Sequence, residues 1–191
     1  MVVMVTGHDP TERQLQEAVA MATLQLSRPP AAAAASSSVC SPGWSKYGSR
    51  CFRVFTNRVT YAGANAACRS KAQGGRLAMP KDKPTNDALV RLRNGQSQTV
   101  STWIGLNDIR REGQFVWEDR QALGSFRVWA ADEPNNLPNR NADCVKIEKA
   151  SSSGVYANKW RDYLCNGRLG YICEKEQTIK VSGLDQAKLV L

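Results

Sequence analysis

Six cysteines impose the strongest constraint on what this chain of 191 residues can fold into. An even number of cysteines without a Cys-x-x-Cys pair is typical of a disulfide framework rather than of a zinc site or a redox motif. Six cysteines allow 15 pairings, and spacing alone leaves all of them open. The framework predicts folding in an oxidising compartment. The cysteines, all in residues 40–173, are Cys40, Cys51, Cys68, Cys144, Cys165 and Cys173.

The cysteines divide the chain into three parts. Residues 1–39 combine a weak helical stripe at 11–26 with a stretch rich in proline, alanine and serine, which predicts a flexible arm and linker. Residues 40–176 predict one domain of ordinary size, and residues 177–191 a tail without an assigned role. The apolar start, Met-Val-Val-Met-Val, is too short for a signal peptide, and no stretch reaches the roughly 20 apolar residues of a membrane span. Secretion is therefore predicted from the cysteines alone.

The formal charge of +9 is concentrated in the cysteine-rich part. Residues 40–177 contain 22 Lys and Arg against 13 Asp and Glu. Such a surface is either merely solvated or faces an anionic partner such as a sulfated or phosphorylated polymer. The basic residues are spread out and no nucleic-acid motif accompanies them, so we do not expect nucleic acid. The only histidine, His8, lies in the arm, and no nucleophile has a base in a recognisable pattern, so we do not expect an enzyme.

The order of secondary-structure signals predicts an α+β fold. A first helix is expected from Thr60 to about Gln73, before a Gly-Gly stop, and a second over residues 86–93, with Pro84 in its first turn and Asn94-Gly95 as its stop. Many short apolar strands follow, as expected when helices and strands are segregated. The five tryptophans lie in or beside these strands, which predicts core packing rather than sugar stacking.

The stretch from Glu133 to Cys165 carries the clearest functional signal. It opens with Glu133-Pro-Asn-Asn, continues through Asp143-Cys-Val and ends with Trp160-Arg-Asp-Tyr-Leu-Cys. Carboxylates and carboxamides are the hard oxygen donors that Ca²⁺ prefers. A loop of this length is normally either functional or disordered. We therefore expect a binding loop, flanked by cysteines, in this part of the chain.

These residues resemble the C-type lectin-like domain in its long form. The resemblance covers residues 40–176, and its motifs are closest to collectin-type, mannose-class carbohydrate-recognition domains, although no collagen repeat precedes them. Gly74-Gly-Arg-Leu-Ala-Met-Pro80 and Gly113-Gln-Phe-Val-Trp117 are similar to collectins in particular. The motifs that carry the family resemblance are the ordered cysteines, Trp103-Ile-Gly-Leu, Glu112-Gly, Glu133-Pro-Asn, Asp143-Cys-Val and Trp160-x-Asp-x-x-Cys.

The resemblance implies both a fold and a function. The expected fold has two helices flanking a twisted antiparallel sheet, a long loop region and the disulfides Cys40–Cys51, Cys68–Cys173 and Cys144–Cys165. The implied function is binding of mannose-, fucose- or glucose-type glycans, in pattern recognition of microbial or self surfaces. Nothing in the sequence indicates an oligomer, although the resemblance is compatible with one.

The resemblance also implies Ca²⁺ as a cofactor, but the ligand set departs from the family pattern. Arg161 stands where an Asn ligand is expected, and Arg has donors but no acceptor, so it would repel the ion. The third ligand is Asn141 counting forward from Glu133, or Ala142 counting back from Cys144. With fewer negative ligands, we expect the Ca²⁺ affinity to fall steeply. The implied sugar-binding residues are Glu133, Asn135, Asn141, Arg161 and Asp162, of which Glu133, Asn135 and Asp162 would also hold the metal.

A second calcium position is implied by a further set of residues. Three carboxylates match the family pattern, while an Asn stands where Asp is usual. The alternative is that Asp108 and Glu112 are simply turn residues, since Glu112 precedes a glycine. The implied ligands of this position are Asp108, Glu112, Asn136 and Asp143.

Two functions therefore follow from the sequence. The first is a glycan-binding lectin, favoured by the intact Glu133-Pro134-Asn135. The second is a calcium-independent lectin-like module that binds a protein or a polyanion through its basic face, favoured by Arg161. If the loop keeps the family's shape, we expect the Arg161 guanidinium to lie within reach of Glu133 and Asp162, at the calcium position.

Overall fold

The computed structural model describes residues 36–136 and 142–181, with side chains for 39–136 and 142–179. Ser38–Ile179 is a compact unit and carries everything that positions the site. The predicted helix at 11–26, Asn141 and residues 182–191 lie outside the described residues. In chain order the elements are β1 Ser36–Val39, β2 Ser45–Tyr47, β3 Arg50–Val59, α1 Tyr61–Lys71, β4 Arg76–Leu77, α2 Lys83–Gln96, β5 Thr102–Asn107, β6 Val116–Trp117, β7 Cys144–Ile147, β8 Trp160–Tyr163, β9 Leu169–Glu176 and β10 Thr178–Val181.

Both described helices begin at a side-chain cap. The Thr60 hydroxyl accepts a hydrogen bond from Gly63 N at 3.2 Å, and the Asp82 carboxylate accepts one from Thr85 N at 2.7 Å. Each cap pairs a backbone N–H that has no partner inside its helix. Neither helix is long and apolar enough to cross a membrane.

The second helix ends later than predicted. It continues through Asn94 and Gly95 to Gln96, although this pair was expected to stop it. The reason is tertiary: the buried Arg93 donates hydrogen bonds to Glu148 O at 2.9 Å and to Asn158 Oδ1 at 2.5 Å. These contacts hold the last turn in place and outweigh the roughly 1 kcal/mol by which glycine disfavours a helix.

The main sheet is mixed rather than purely antiparallel. Its strand order is β2-β3-β9-β5-β7-β8, with β4 attached to β9 and β6 attached to β5. The prediction of an antiparallel sheet is wrong at one pairing, because β5 and β9 run parallel. A parallel pair needs a long connection, and the chain between these strands contains the whole candidate binding loop. β1 and β10 form a separate two-stranded sheet.

Trp160, at the start of β8, links the core to the loop region. Its side chain is buried and makes edge-to-face contacts with Trp117, Phe126 and Trp129 at 5.6–5.8 Å between ring centroids. The indole Nε1 donates a hydrogen bond to Asn86 Oδ1 at 2.8 Å, so its polar atom is also paired. The prediction that the tryptophans are mostly core residues agrees with these contacts. The residues that follow Trp160 on β8 are held at the edge of this core.

The three predicted disulfides are confirmed. They join Cys40 to Cys51, Cys68 to Cys173 and Cys144 to Cys165. The second bridge connects α1 to β9 across a sequence separation of 105 residues. The third joins the start of β7 to the segment after β8 and so closes the hairpin that carries the candidate site.

Candidate functional site

Backbone hydrogen bonds bring the Glu133 loop against β8. Trp160 N donates to Val128 O at 2.9 Å, and Ala130 N donates to Trp160 O at the same distance. Three residues later the chain reaches Glu133, whose peptide bond to Pro134 is cis. The segment that leads to Glu133 and the start of β8 are therefore neighbours.

The strand β8 presents its polar residues on opposite sides. It pairs antiparallel with β7, so that Asp162 lies opposite Val145 and Arg161 lies opposite Lys146. Trp160 and Asp162 are buried, whereas Arg161 between them is partly exposed. This alternation is the ordinary period of a strand. It separates the two predicted site residues onto different faces.

Arg161 pairs with Glu133, as expected. Its Nε donates a hydrogen bond to Glu133 Oε1 at 2.6 Å. The Glu133 side chain is only 1% exposed, while that of Arg161 is 28% exposed. The second carboxylate that Arg161 reaches is Glu148, with Nη1 to Oε2 at 3.5 Å, rather than the expected Asp162. The guanidinium also lies 4.9 Å from the centre of the Tyr156 ring, at cation–π distance.

Asp162 contacts the other end of the loop. Its Oδ2 accepts a hydrogen bond from Asn136 N at 2.6 Å, and Asn136 Oδ1 in turn accepts one from Ala142 N at 2.8 Å. Asn136 adopts a positive φ of 46°, a conformation that Asn tolerates better than most residues. Asp162 and Asn136 thus pin the loop to β8, while Asn135 between Pro134 and Asn136 is exposed.

The local electrostatics around Glu133 are unusual for a carboxylate. Burial, followed by the neighbouring Asp162 carboxylate, raises the pKa of Glu133 to about 7, against the opposing effect of Arg161. Glu133 Oε2 and Asp162 Oδ1 are buried and have no hydrogen-bond partner among the described residues. The carboxylates of Glu133 and Asp162 therefore lie close together, and the partly exposed Arg161 is the cation that contacts Glu133.

Glu148 is a central site residue that sequence reasoning missed. Besides Arg161, it accepts hydrogen bonds from Ser101 Oγ at 2.6 Å and from Lys149 N at 3.1 Å, and it pairs with Lys146 Nζ at 2.9 Å. Burial opposes ionisation, but the hydrogen bonds from Ser101 and Lys146 outweigh it and lower the pKa of Glu148 to about 2. Glu148 thus holds Lys146 and Arg161 side by side across the hairpin. The β7–β8 register places Lys146 directly opposite Arg161. Like charges in that position repel each other, so the register alone would have indicated a carboxylate between them.

The residues of the principal site do not fit a calcium ion in this arrangement. Ca²⁺ takes six to eight oxygen ligands. Here Glu133 Oε1 is held by Arg161, which brings only donors, and the buried Ala142 offers no side-chain oxygen. The other candidate for the third ligand, Asn141, lies outside the described residues. A side-chain cation thus contacts one of the carboxylate oxygens that the family pattern assigns to the metal.

The second calcium position is not assembled as a metal cage either. Asp108 is 3% exposed, and its Oδ2 accepts a hydrogen bond from Gly113 N at 2.9 Å, so it closes the turn that leads to β6. Glu112 is exposed, and Asn136 Oδ1 is already engaged with the backbone. Asp143 contributes its backbone carbonyl to Asp108 N at 3.0 Å. Across residues 36–136 and 142–181, no group of three or more His, Cys, Asp and Glu is arranged to hold a metal ion.

Asp108 makes a testable contribution to pH dependence. Burial, followed by the nearby Glu112 and Asp143, raises the pKa of Asp108 to about 6, although the bond from Gly113 opposes it. A carboxyl whose pKa is higher in the folded state stabilises fully below its unfolded pKa of 3.8 and loses this contribution as the pH rises through about 6. We therefore expect the pH profile of the free energy of unfolding to be flatter between pH 4 and pH 6 in Asp108→Asn than in the parent. Urea unfolding across this range measures the effect, with Asp132→Asn, at an exposed position, as the control; an unchanged profile would contradict it.

The comparisons with known proteins agree with this fold. The family model described as "Lectin C-type domain" matches residues 57–175, and the chain belongs to this family. It is 36% identical to collectin-11 of Bos taurus over 114 residues, which cover 60% of this chain and 39% of that protein. It is 30% identical to the alpha-N-acetylgalactosamine-specific lectin of Patiria pectinifera over 141 residues, covering 72% and 80% of the two chains. A solved structure described as a calcium-independent type II antifreeze protein matches with a TM-score of 0.61 and 25% identity, over 74% of this chain and 98% of that one.

These relatives limit what family membership implies for this chain. Collectins are among the relatives but so are other lectins, so the predicted closeness to collectins is supported only modestly. The chain matches 39% of the length of collectin-11, so the activity and partners of a whole collectin are not transferred to it. Membership of a lectin family agrees with the prediction that the chain is not an enzyme. The antifreeze protein demonstrates that the same fold also occurs with other functions.

Proposed function

We propose that this chain is a glycan-binding C-type lectin domain whose principal site is held by Arg161 rather than by calcium. The ion pair between Arg161 Nε and Glu133 Oε1, at 2.6 Å, is the observation that carries the proposal. The pair engages one oxygen of the carboxylate that the family pattern assigns to the metal, and it supplies a fixed positive charge beside the loop. The likeness to a calcium-independent protein of the same fold supports a loop that is stable without the ion.

The surroundings of the ion pair supply suitable groups for sugar recognition. Arg161 is partly exposed, and Asn135 and Pro134 are exposed on the same loop. Guanidinium N–H groups donate to hydroxyls, while a carboxamide both donates and accepts. A groove of about 610 Å³ runs beside Glu133 and Pro134, within the usual range for ligand sites. Its apolar wall is formed by Phe115, Leu123 and Trp129.

The sugar class, the biological setting and the location form the finer part of the proposal. The intact Glu133-Pro134-Asn135 favours glycans of the mannose, fucose or glucose class, whereas the relative from Patiria pectinifera is named for alpha-N-acetylgalactosamine. Three disulfides favour secretion into an oxidising, extracellular environment. A secreted glycan-binding domain is suited to pattern recognition on microbial or self surfaces.

The proposal predicts glycan binding that survives removal of calcium. On a glycan array, we expect the same mannose-class ligands to be bound in millimolar Ca²⁺ and in EGTA. The thermal midpoint should also be equal in the two buffers, because a ligand that binds only the folded state would raise it. Asn135→Ala should weaken glycan binding, with Asn57→Ala, at an exposed position on β3, as the matched control. Binding that appears only in Ca²⁺ would contradict the proposal.

A second candidate function is binding of an anionic polymer through the basic surface. The observation that favours it is the charge of +9, concentrated in the cysteine-rich part. Many of these cations are exposed, including Arg69, Arg110 and Arg120. The two functions are compatible in one domain.

A further inference from the structure

A second groove opens between α1 and the segment that connects β5 to β6, and it shares only Val116 with the groove beside Glu133. Its volume is about 450 Å³, which lies within the range of ligand sites. None of its lining residues belongs to the Glu133–Arg161 loop. Three exposed arginines line it, and we call it the arginine groove: Arg69 from α1, and Arg110 and Arg120 from the turns before and after β6.

The floor of the arginine groove contains one acidic residue, Glu118. Its carboxylate accepts hydrogen bonds from the Tyr61 hydroxyl at 2.8 Å and from the Asn65 amide. These neutral donors, together with Asn107, satisfy Glu118 from within the fold. Its only ion pair among the described residues is with Arg69 at 3.9 Å, and Arg69 is 67% exposed. The lining therefore carries three cations and one anion, a net charge of +2.

Two of the three arginines have no partner within the described part of the chain. No ion pair or hydrogen bond engages the guanidinium of Arg110 or Arg120 there. Arg120 also has a φ of +68°, a left-handed conformation that most non-glycine residues avoid. Trp117 O accepts a hydrogen bond from Arg120 N at 2.8 Å, which helps to hold this turn. The fold thus places an unpaired cation at a backbone position where glycine would be less strained.

The shape of the groove favours a linear polymer over a small ion. A second opening of about 400 Å³ shares Asn65, Arg69 and Glu118 with the arginine groove and continues to Arg76. The two openings therefore form one track with Arg69 at its middle. Along the first opening the exposed apolar side chain of Ile109 lies beside Arg110. Such a track offers cationic contacts, and an apolar contact at Ile109, to a chain of rings that carry anionic groups.

We propose that the arginine groove binds a sulfated polysaccharide. Arg is suited to sulfate because its planar fork forms paired hydrogen bonds to tetrahedral oxyanions. A single-stranded nucleic acid fits less well, because it needs exposed aromatic rings for stacking, and the aromatic residues of the groove, Tyr61 and Trp117, are 3% and 2% exposed. The proposal rests on the second candidate function and assigns it a location.

The test compares a groove variant with a charge-matched control. The groove variant combines Arg69→Gln, Arg110→Gln and Arg120→Asn, the last chosen because Asn tolerates positive φ. The control combines Arg58→Gln, Arg91→Gln and Lys149→Gln, which removes the same charge from exposed positions elsewhere. Binding of a heparin-derived octasaccharide is measured by calorimetry at two salt concentrations. We expect the groove variant to bind roughly 10- to 100-fold more weakly and with a shallower salt dependence, since exposed charge contacts each contribute a modest factor.

The possible outcomes separate the location from the function. If both triple variants lose affinity equally, the whole surface attracts polyanions and the groove assignment is wrong. If the parent does not bind the octasaccharide at low salt, the second candidate function fails as well. Equal affinity for single-stranded DNA of matched charge would overturn the assignment of the ligand class. The single variant Arg110→Gln, at an exposed turn, gives the same readout should the triple variant fold poorly.

Discussion

Arg161→Asn is expected to lower the free energy of unfolding in EGTA by about 2 to 4 kcal/mol, near the range for breaking a buried ion pair. The reason is that Glu133 is 1% exposed and its Oε1 would lose the cation that contacts it at 2.6 Å. Glu133 and Asp162 would then face each other without compensation. The loss should be smaller at pH 5 than at pH 8, because the pKa of Glu133 is about 7 and its carboxyl is protonated, and needs no cation, at the lower pH. Urea unfolding at the two pH values measures both effects.

The same substitution should make the domain respond to calcium. Asparagine brings a side-chain oxygen in place of five N–H donors, and removing the cation leaves two carboxylates free to attract Ca²⁺. We therefore expect Ca²⁺ to raise the thermal midpoint of Arg161→Asn but not that of the parent. Calorimetric titration with Ca²⁺, followed by mannose, should detect binding of the ion only in the variant and tighter sugar binding when the ion is present.

A nearby substitution controls for the change in charge. Lys159→Asn removes an exposed cation two residues away, and among the described residues the ion pair of Glu133 is with Arg161 and not with Lys159. It should leave both stability and calcium response close to those of the parent. If the parent already binds mannose only with Ca²⁺, and Arg161→Asn binds no better, then Arg161 does not act in place of the metal and the interpretation is wrong.

Removing the Cys68–Cys173 bridge should give the largest loss of stability in the molecule. The bridge spans 105 residues, and the chain-entropy model assigns about 5 kcal/mol to a loop of that length. Both cysteines are fully buried beside Tyr61, Leu77 and Trp103, so their replacement also disturbs core packing. We expect Cys68→Ala/Cys173→Ala to be barely folded at 37 °C.

The Cys40–Cys51 bridge provides the matched comparison. Its separation is only 11 residues, for which the same model gives about 3 kcal/mol. Cys40→Ala/Cys51→Ala should therefore remain folded and show the smaller loss in denaturant unfolding. Equal losses for the two double variants would indicate that loop length does not govern the contribution of these bridges.

The sequence predicted most of what short-range chemistry and family motifs determine. The disulfide pairing, the two helices and the contact between Arg161 and Glu133 agree with expectation. The parallel pairing of β5 with β9 was missed, because a strand's apolar pattern does not specify the direction of its neighbour. The helix that continues past Gly95 was missed because its last turn depends on Arg93 and its partners 55 and 65 residues away.

The least predictable part of the site was the identity of its charged partners. Asp162 was expected to face Arg161, but the two follow each other on a strand and point to opposite sides. Glu148 could be assigned only once the β7–β8 register placed Lys146 opposite Arg161. The sequence identified which residues are unusual, and the hairpin register decided which of them meet.

The ion pair between Arg161 and Glu133 has a consequence for how occupancy of this position varies with conditions. A metal fills its site according to its free concentration, so dilution or a chelator empties it. The guanidinium is covalently part of the chain and is present at one equivalent per molecule at every concentration. The guanidinium of Arg161 is therefore available to Glu133 in every folded molecule, whatever the concentration of ions in solution. The contact is weakened by protonation of Glu133 and not by loss of an ion.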